Sequence, residues 1–175
     1  MKTKRRIQYG LAAVGGLLLT VLLPCGCGPS GYSNSWPYPD QIHSVYVEMF
    51  DTSNFRRGYE YVLTDAICKR IEAQTPYKIV SDRDQADSVL SGALLAGNAV
   101  LTVDRHTGKP IEQESVVRVT FSWKNLRTGE VLVNNETVAA TASYSRFLDQ
   151  DYEYSAHRAV NKAAERVVQR METTW

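Results

Sequence analysis

Three histidines, three closely spaced aspartates and one Gly-Lys pair carry the side chains whose chemistry would matter most if their spacing served it. His43, His106 and His157 stand far apart. None has a second histidine or a cysteine three or four positions away, the spacing that puts two metal ligands on one helical face. Asp82, Asp84 and Asp87 resemble the start of a calcium loop. The glycine and the closing bidentate glutamate of such a loop are missing at their required offsets, so the three read as a solvated turn. Thr107-Gly108-Lys109-Pro110 lacks the upstream glycine and the following Ser or Thr of a phosphate loop, and it reads as a hairpin turn. No Gly-x-Ser-x-Gly elbow is present to present a nucleophile. No catalytic residue, metal or cofactor is expected from these patterns.

The cysteines are more specific. Met1–Arg6 carry Lys2, Lys4, Arg5 and Arg6, and Ile7–Leu23 follow as a 17-residue stretch broken only by Gln8, Tyr9 and Thr20. A basic start before a short apolar run is the pattern of an export signal, and the run is short for a membrane span of about 20 residues. It ends in Leu22-Leu23-Pro24-Cys25-Gly26-Cys27-Gly28, which resembles a bacterial lipoprotein lipobox. In that pattern the thiol receives a diacylglycerol, the chain is cut just before the cysteine, and the new amine is acylated. Cys27 follows the small Gly26, whereas Cys25 follows Pro24, so Cys27 is the expected lipidation site and Cys25 the alternative. Residues 1–26 are then a signal peptide, residues 27–41 a lipidated flexible tether rich in Pro and Gly, and residues 42–175 a single domain. Each buried methylene of an acyl chain contributes about 0.8 kcal/mol, and two or three chains suffice for stable membrane anchoring. Asn135-Glu136-Thr137 matches a glycosylation sequon, but a bacterial export route makes it silent. Cys68 is left as the remaining thiol, reading as a small buried apolar residue, so the fold must rest on its core.

The 175 residues have room for one ordinary domain. A hydrophobic fraction of 43% with 22% charged residues excludes a disordered tail, a collagen-like repeat and a polytopic membrane protein. Net charge is +1, and no broad basic field is available to hold nucleic acid. Without the four basic residues of the signal, 16 basic residues face 19 acidic ones, so the body is mildly acidic.

The elements that must position any site follow from periodicity. Val45, Val47 and Met49 alternate with Tyr46, Glu48 and Phe50, predicting a strand over about residues 43–50. Tyr59, Val62, Leu63, Ala66, Ile67 and Ile71 recur at helical spacing until Thr75-Pro76 stops the helix. Tyr77–Val80 is a short extended piece. Ser88–Val103 is apolar at both parities, as expected for a central strand covered on both faces or bent at Gly92 or Gly97. Val117, Val119, Phe121 and Trp123 alternate with Arg118, Thr120, Ser122 and Lys124, a half-buried strand. After the turn Leu126–Glu130, Val131 to about Ala142 returns as the last strand, with a bulge at Asn134 and Asn135. Ala156, Val160, Ala163, Ala164, Val167, Val168 and Met171 form the stripe of a final helix. The order β-α-β-β-β-α predicts an α+β, two-layer sandwich, with two helices on one face of a four-stranded, mostly antiparallel sheet.

With these elements in place, the chain resembles the LptE family of lipopolysaccharide-assembly lipoproteins of the outer membrane. The resemblance rests on the lipobox cysteine followed by Gly31-Tyr32, on Ser44–Phe50, and on Leu63-Thr64-Asp65-Ala66. It continues through Tyr77-Lys78-Ile79-Val80-Ser81 and Ala86-Asp87-Ser88-Val89-Leu90-Ser91-Gly92. Each motif is weak alone, and their order along about residues 27–172 supplies the signal. The resemblance implies a non-catalytic plug inside the barrel of an LptD-like partner, aiding its assembly and contacting lipopolysaccharide. It also implies the periplasmic side of the cell outer membrane as the location, held there by the N-terminal acyl chains. Gly28, where an Asp would hold the protein back, agrees with that sorting. A plug needs cations for lipid phosphates. Arg105, Lys109, Arg118, Lys124 and Arg127, on the central hairpins and their turns, are the candidates by charge and position alone. The alternative is a membrane-anchored adaptor of another envelope machine, in secretion or cell-wall synthesis, since similar small α+β lipoproteins serve there too.

Overall fold

The computed structural model describes residues 38–39, 41–52 and 57–172. Its elements are β1 (Ser44–Val47), β2 (Asp51–Thr52), α1 (Tyr59–Gln74), β3 (Lys78–Ile79), β4 (Ser88–Val103), β5 (Pro110–Asn125), β6 (Val131–Ser145) and α2 (Tyr152–Gln169). They build an α+β fold, but the expected four-stranded sheet is six-stranded, in the order β3-β1-β4-β5-β6 with β2 also on β4. The long strands β4, β5 and β6 are antiparallel, whereas β1 and β2 lie parallel to β4 and β3 parallel to β1.

The expected first strand is split. It leaves the ladder after Val47 and resumes at Asp51. Between them Phe50, and not Met49, enters the core, and its N–H is held by the hydroxyl of Thr64 on α1 at 3.3 Å. Phe50 lies over Gly92, where a Cβ would run into its ring and into the β5 backbone at Thr120 and Phe121. The glycine is thus required by close approach, and β4 runs through it without a break.

α1 ends where Thr75 closes its last turn on the Ile71 carbonyl at 3.0 Å, just before Pro76. Cys68 on this helix is half-buried instead of buried. Desolvation and the nearby Asp65 and Glu72 push its thiol up, away from the reactive thiolate form. α2 begins at Asp151, whose carboxylate accepts the Tyr154 N–H at 2.8 Å. Its inward side carries Ala156, Ala159, Ala163 and Ala164, all fully buried. Small side chains let the helix lie close on β5 and β6, while α1 packs beside it.

The core lies between the helices and the sheet face bearing Val117, Val119, Phe121 and Trp123. The Trp123 indole N–H donates to Ser88 Oγ at 3.0 Å, satisfying a buried polar group beneath Tyr77. At the entry to the fold, Tyr38 packs edge-on against Tyr77 and its hydroxyl reaches Glu172 Oε1 at 3.4 Å, just past the end of α2. The expected signal, Cys25 and Cys27 lie outside the described residues. Among the described residues no helix is long and apolar enough to cross a membrane.

Candidate interaction surfaces

The motifs that could have held a metal or phosphate are absorbed into the scaffold. Gly108, at φ +65°, and Asp104 close the β4–β5 turn. There the amide N–H groups of His106 and Thr107 donate to Asp104 Oδ1 at 2.7 and 3.1 Å and hold this exposed carboxyl below its usual range. His157 stacks edge-on against Tyr59, and His43 is exposed. Among the described residues, no three His, Cys, Asp or Glu side chains gather as a metal site would require. Asp82 and Asp84 do lie in a solvated turn, with Asp82 accepting the Asp84 N–H at 3.0 Å. Asp87 departs from that reading, because it turns inward and is almost wholly buried.

The five candidate cations are not brought together. Arg105 and Lys109 sit exposed on the β4–β5 turn at one end of the sheet. Lys124 and Arg127 lie at the other end of β5, roughly 50 Å away for a strand of this length. Arg118 stands midway, opposite Leu95 and Ala139 on the neighbouring strands. Arg127 is engaged in an ion pair with Asp87.

Two surfaces stand out instead. The first is the face of β4, β5 and β6 turned away from the helices. It carries Ser91 opposite Ser122, and Ala93, Thr120 and Thr137 in register across three strands, with Leu95 and Arg118 and with Val116 and Thr141 paired further along. Thr120 and Thr137 hydrogen-bond at 2.9 Å, and Ser122 pairs with Asn135 at the bulge, where Asn135 has φ +45°. Among the described residues no helix covers this face.

The second surface is the far end of the sheet. Val100, Leu101 and Val103 at the end of β4 are each about half exposed, and Phe147 and Leu148, just after β6, are 77% and 69% exposed. Ser145 Oγ reaches the Ile111 carbonyl at 3.3 Å and draws the Phe147–Leu148 turn against the start of β5. Arg105 and Lys109 follow Val103 in the exposed β4–β5 turn and Arg146 directly precedes Phe147, so this tip of the sheet carries cations and apolar residues together. Sequence reading found the two turn cations but missed their apolar neighbours. In the sequence Leu101 and Val103 belong to a strand expected to be covered, and Phe147 and Leu148 fall between the expected elements.

The LptE family model, described as lipopolysaccharide-assembly, matches residues 42–171, essentially the whole domain. Three solved structures share the fold at low identity. Uncharacterized lipoprotein B from Nitrosomonas europaea aligns with TM-score 0.56 and 13% identity, covering 75% of this chain and 82% of its own. A minor lipoprotein from Acinetobacter baumannii gives 0.54 and 17%, covering 74% and 92%. Rare lipoprotein B from Shewanella oneidensis gives 0.51 and 18%, covering 74% and 93%. No curated protein matches the sequence. The family match spans most of the chain, and the chain therefore belongs to the LptE family of lipopolysaccharide-assembly proteins.

Proposed function

We propose that this protein is an outer-membrane lipoprotein, anchored through Cys27, or less favourably Cys25. In this reading it plugs and helps assemble an LptD-like β-barrel and assists the passage of lipopolysaccharide to the outer leaflet. The observation that carries the reading is the uncovered sheet face, with Ser91, Thr120, Ser122, Thr137 and Thr141 across three strands. A large barrel has a polar, water-filled lumen. A rigid sheet with small hydroxyl side chains fits against such a wall, and Arg118 and Lys124 on the same face would meet its polar groups. The tip supplies the complementary chemistry for an amphiphile. Arg105 and Lys109 suit the phosphates of a lipid A headgroup, and Leu101, Val103, Phe147 and Leu148 suit its acyl chains. Family membership directs the reading to lipopolysaccharide over other anionic lipids.

The test is co-purification of the C-terminally tagged chain from membranes in mild detergent, with a photo-crosslinker in place of Thr120. A near-stoichiometric large β-barrel crosslinked through that face is the expected result. A different envelope complex in its place would make the protein an adaptor of that machine.

A further inference from the structure

Four cations recur at every fourth position along α2 and its C-terminal cap, namely Arg158, Lys162, Arg166 and, at the cap, Arg170, and all are exposed. That spacing keeps them on one side of the helix, in a stripe about 18 Å long. The stripe faces β6. Lys162 Nζ donates to the Thr141 carbonyl at 3.1 Å, and Arg170 Nε meets Glu136 Oε1 at 3.1 Å. Arg166 lines a groove with Thr137 and Ala139 between the helix and the strand. Moving forward along α2 from Lys162 to Arg170 therefore means moving backward along β6 from Thr141 to Glu136, so the two elements run antiparallel.

β6 is also an edge. Among the described residues it pairs with β5 alone. In an antiparallel ladder the N–H and C=O of one residue point to the same side, and successive residues alternate. The Thr141 carbonyl is met by Lys162 outside the ladder, so Thr137, Ala139 and Thr141 direct their backbone groups away from β5.

We propose that this edge receives an extended polypeptide strand from a partner, with Asp or Glu at alternate positions. Its backbone pairs with Thr137, Ala139 and Thr141, and its carboxylates lie on the α2 cations. The two spacings agree, since alternate residues of a strand are about 6.7 Å apart and every fourth residue of a helix rises about 6 Å. Arg170 is already neutralised by Glu136, which leaves Arg158, Lys162 and Arg166 to meet the incoming charge. A peptide fits this edge better than a phosphate, because the edge offers alternating donors and acceptors and a phosphate supplies acceptors alone. In the free protein Lys162 covers the Thr141 carbonyl, as lysines on exposed edges do to block indiscriminate pairing. An incoming strand replaces it there with an amide N–H and frees the ammonium for a carboxylate. A basic strand meets like charge and is refused. The occupant is defined by this chemistry, independently of the barrel reading.

The experiment uses the full-length chain in detergent micelles and a labelled short peptide of alternating Thr and Glu. Fluorescence anisotropy should detect binding, and amide exchange should slow at Thr137, Ala139 and Thr141. Exchanging Glu for Lys in the peptide, or introducing Lys162→Glu with Arg166→Glu in the protein, should weaken binding about tenfold or more. Ala139→Pro removes an outward N–H without changing charge and should weaken binding as well, with circular dichroism confirming the fold. Lys162→Gln, the milder change, should give an intermediate loss. Equal binding by a peptide with methylated amides, or unchanged exchange along β6, would overturn the proposal. So would a Lys162→Ala protein that self-associates through β6 while the Thr-Glu peptide fails to bind the wild type, which would leave the lysine as an edge guard only.

Discussion

The almost fully buried carboxylate of Asp87 is held by the exposed guanidinium of Arg127, which ties the start of β4 to the β5–β6 turn. The same carboxylate accepts the N–H groups of His43 and Ser44 at 2.9 and 3.0 Å, so one side chain joins three parts of the chain. Burial alone would push its pKa up. The N–H of His43, the hydroxyl and N–H of Ser44 and the Arg127 charge outweigh that and hold the carboxyl below its usual value. A depressed folded pKa contributes stability above the unfolded value, about 3.9, which is lost as pH falls through the folded value. Asp87→Ala should cost about 2–4 kcal/mol, because it orphans two N–H groups. Asp87→Asn should flatten the loss of stability below about pH 4. Thermal melts from pH 7 to pH 3 check both, and equal slopes for wild type and Asp87→Asn would remove the linkage.

Gly92 and Gly97 make a matched pair on β4. Gly92→Ala forces the β5 backbone and Phe50 to move and should cost about 2–3 kcal/mol. Gly97 has nothing within 4 Å of a built Cβ, so Gly97→Ala should be neutral or slightly stabilising, by up to about 1 kcal/mol. Urea unfolding of the two variants measures the difference.

The hydroxyls of Ser115 on β5 and Ser155 on α2 are fully buried and bonded to each other, and Ser155 also reaches the Tyr152 carbonyl at 2.9 Å. Removing either alone leaves its partner with the Tyr152 carbonyl, which Ser115 also reaches at 3.4 Å, so each removal should cost about 1 kcal/mol. Removing both should cost less than the sum, and a double-mutant cycle with a coupling of about 1 kcal/mol is expected. Strict additivity would mean that the two hydroxyls do not depend on each other.

Phe147 and Leu148 are exposed, so Phe147→Ser with Leu148→Ser should change stability by no more than about 0.5 kcal/mol. If the tip contacts acyl chains, the same variant should bind lipopolysaccharide micelles about tenfold more weakly. Calorimetry on this variant and the wild type separates the two readouts, and unchanged binding would remove the tip from the proposed contact.

The parts of the fold legible in the sequence are those whose burial follows period. α2 declares itself through Ala156, Val160, Ala163 and Val167, and β5 through Val117, Val119, Phe121 and Trp123, because each lays an apolar set on one face. The first half of β5 was illegible for a physical reason. Its inward face carries Gln113 and Ser115, whose burial is balanced by hydrogen bonds and not by apolarity. Gln113 Oε1 accepts from Asn98 Nδ2 at 3.0 Å and from the Tyr144 hydroxyl at 3.1 Å. A polar network supplied by three strands leaves no alternation for one strand to show. β4 misled in the opposite direction. Its apolar residues at both parities suggest cover on both faces, yet Leu95 is exposed on the face that no described helix covers, and Val100 and Leu101 are exposed near the end of the strand. β2, with two residues, is shorter than any periodicity can register. The surface cations were legible as residue types, but their scatter over both ends of β5, and the facing of the α2 stripe toward β6, depend on topology.

The contact between Tyr38 and Glu172 brings the two ends of the domain to one corner. A chain whose ends meet is nearly a closed loop, and the point at which it is opened becomes a matter of convenience. Joined there by a short linker and cut instead at the exposed Thr107-Gly108 turn, the same residues should refold as a circular permutant beginning with β5 and ending with β4. Its new ends would emerge beside Arg105 and Lys109, so a probe fused to either would report directly on what meets that end of the sheet.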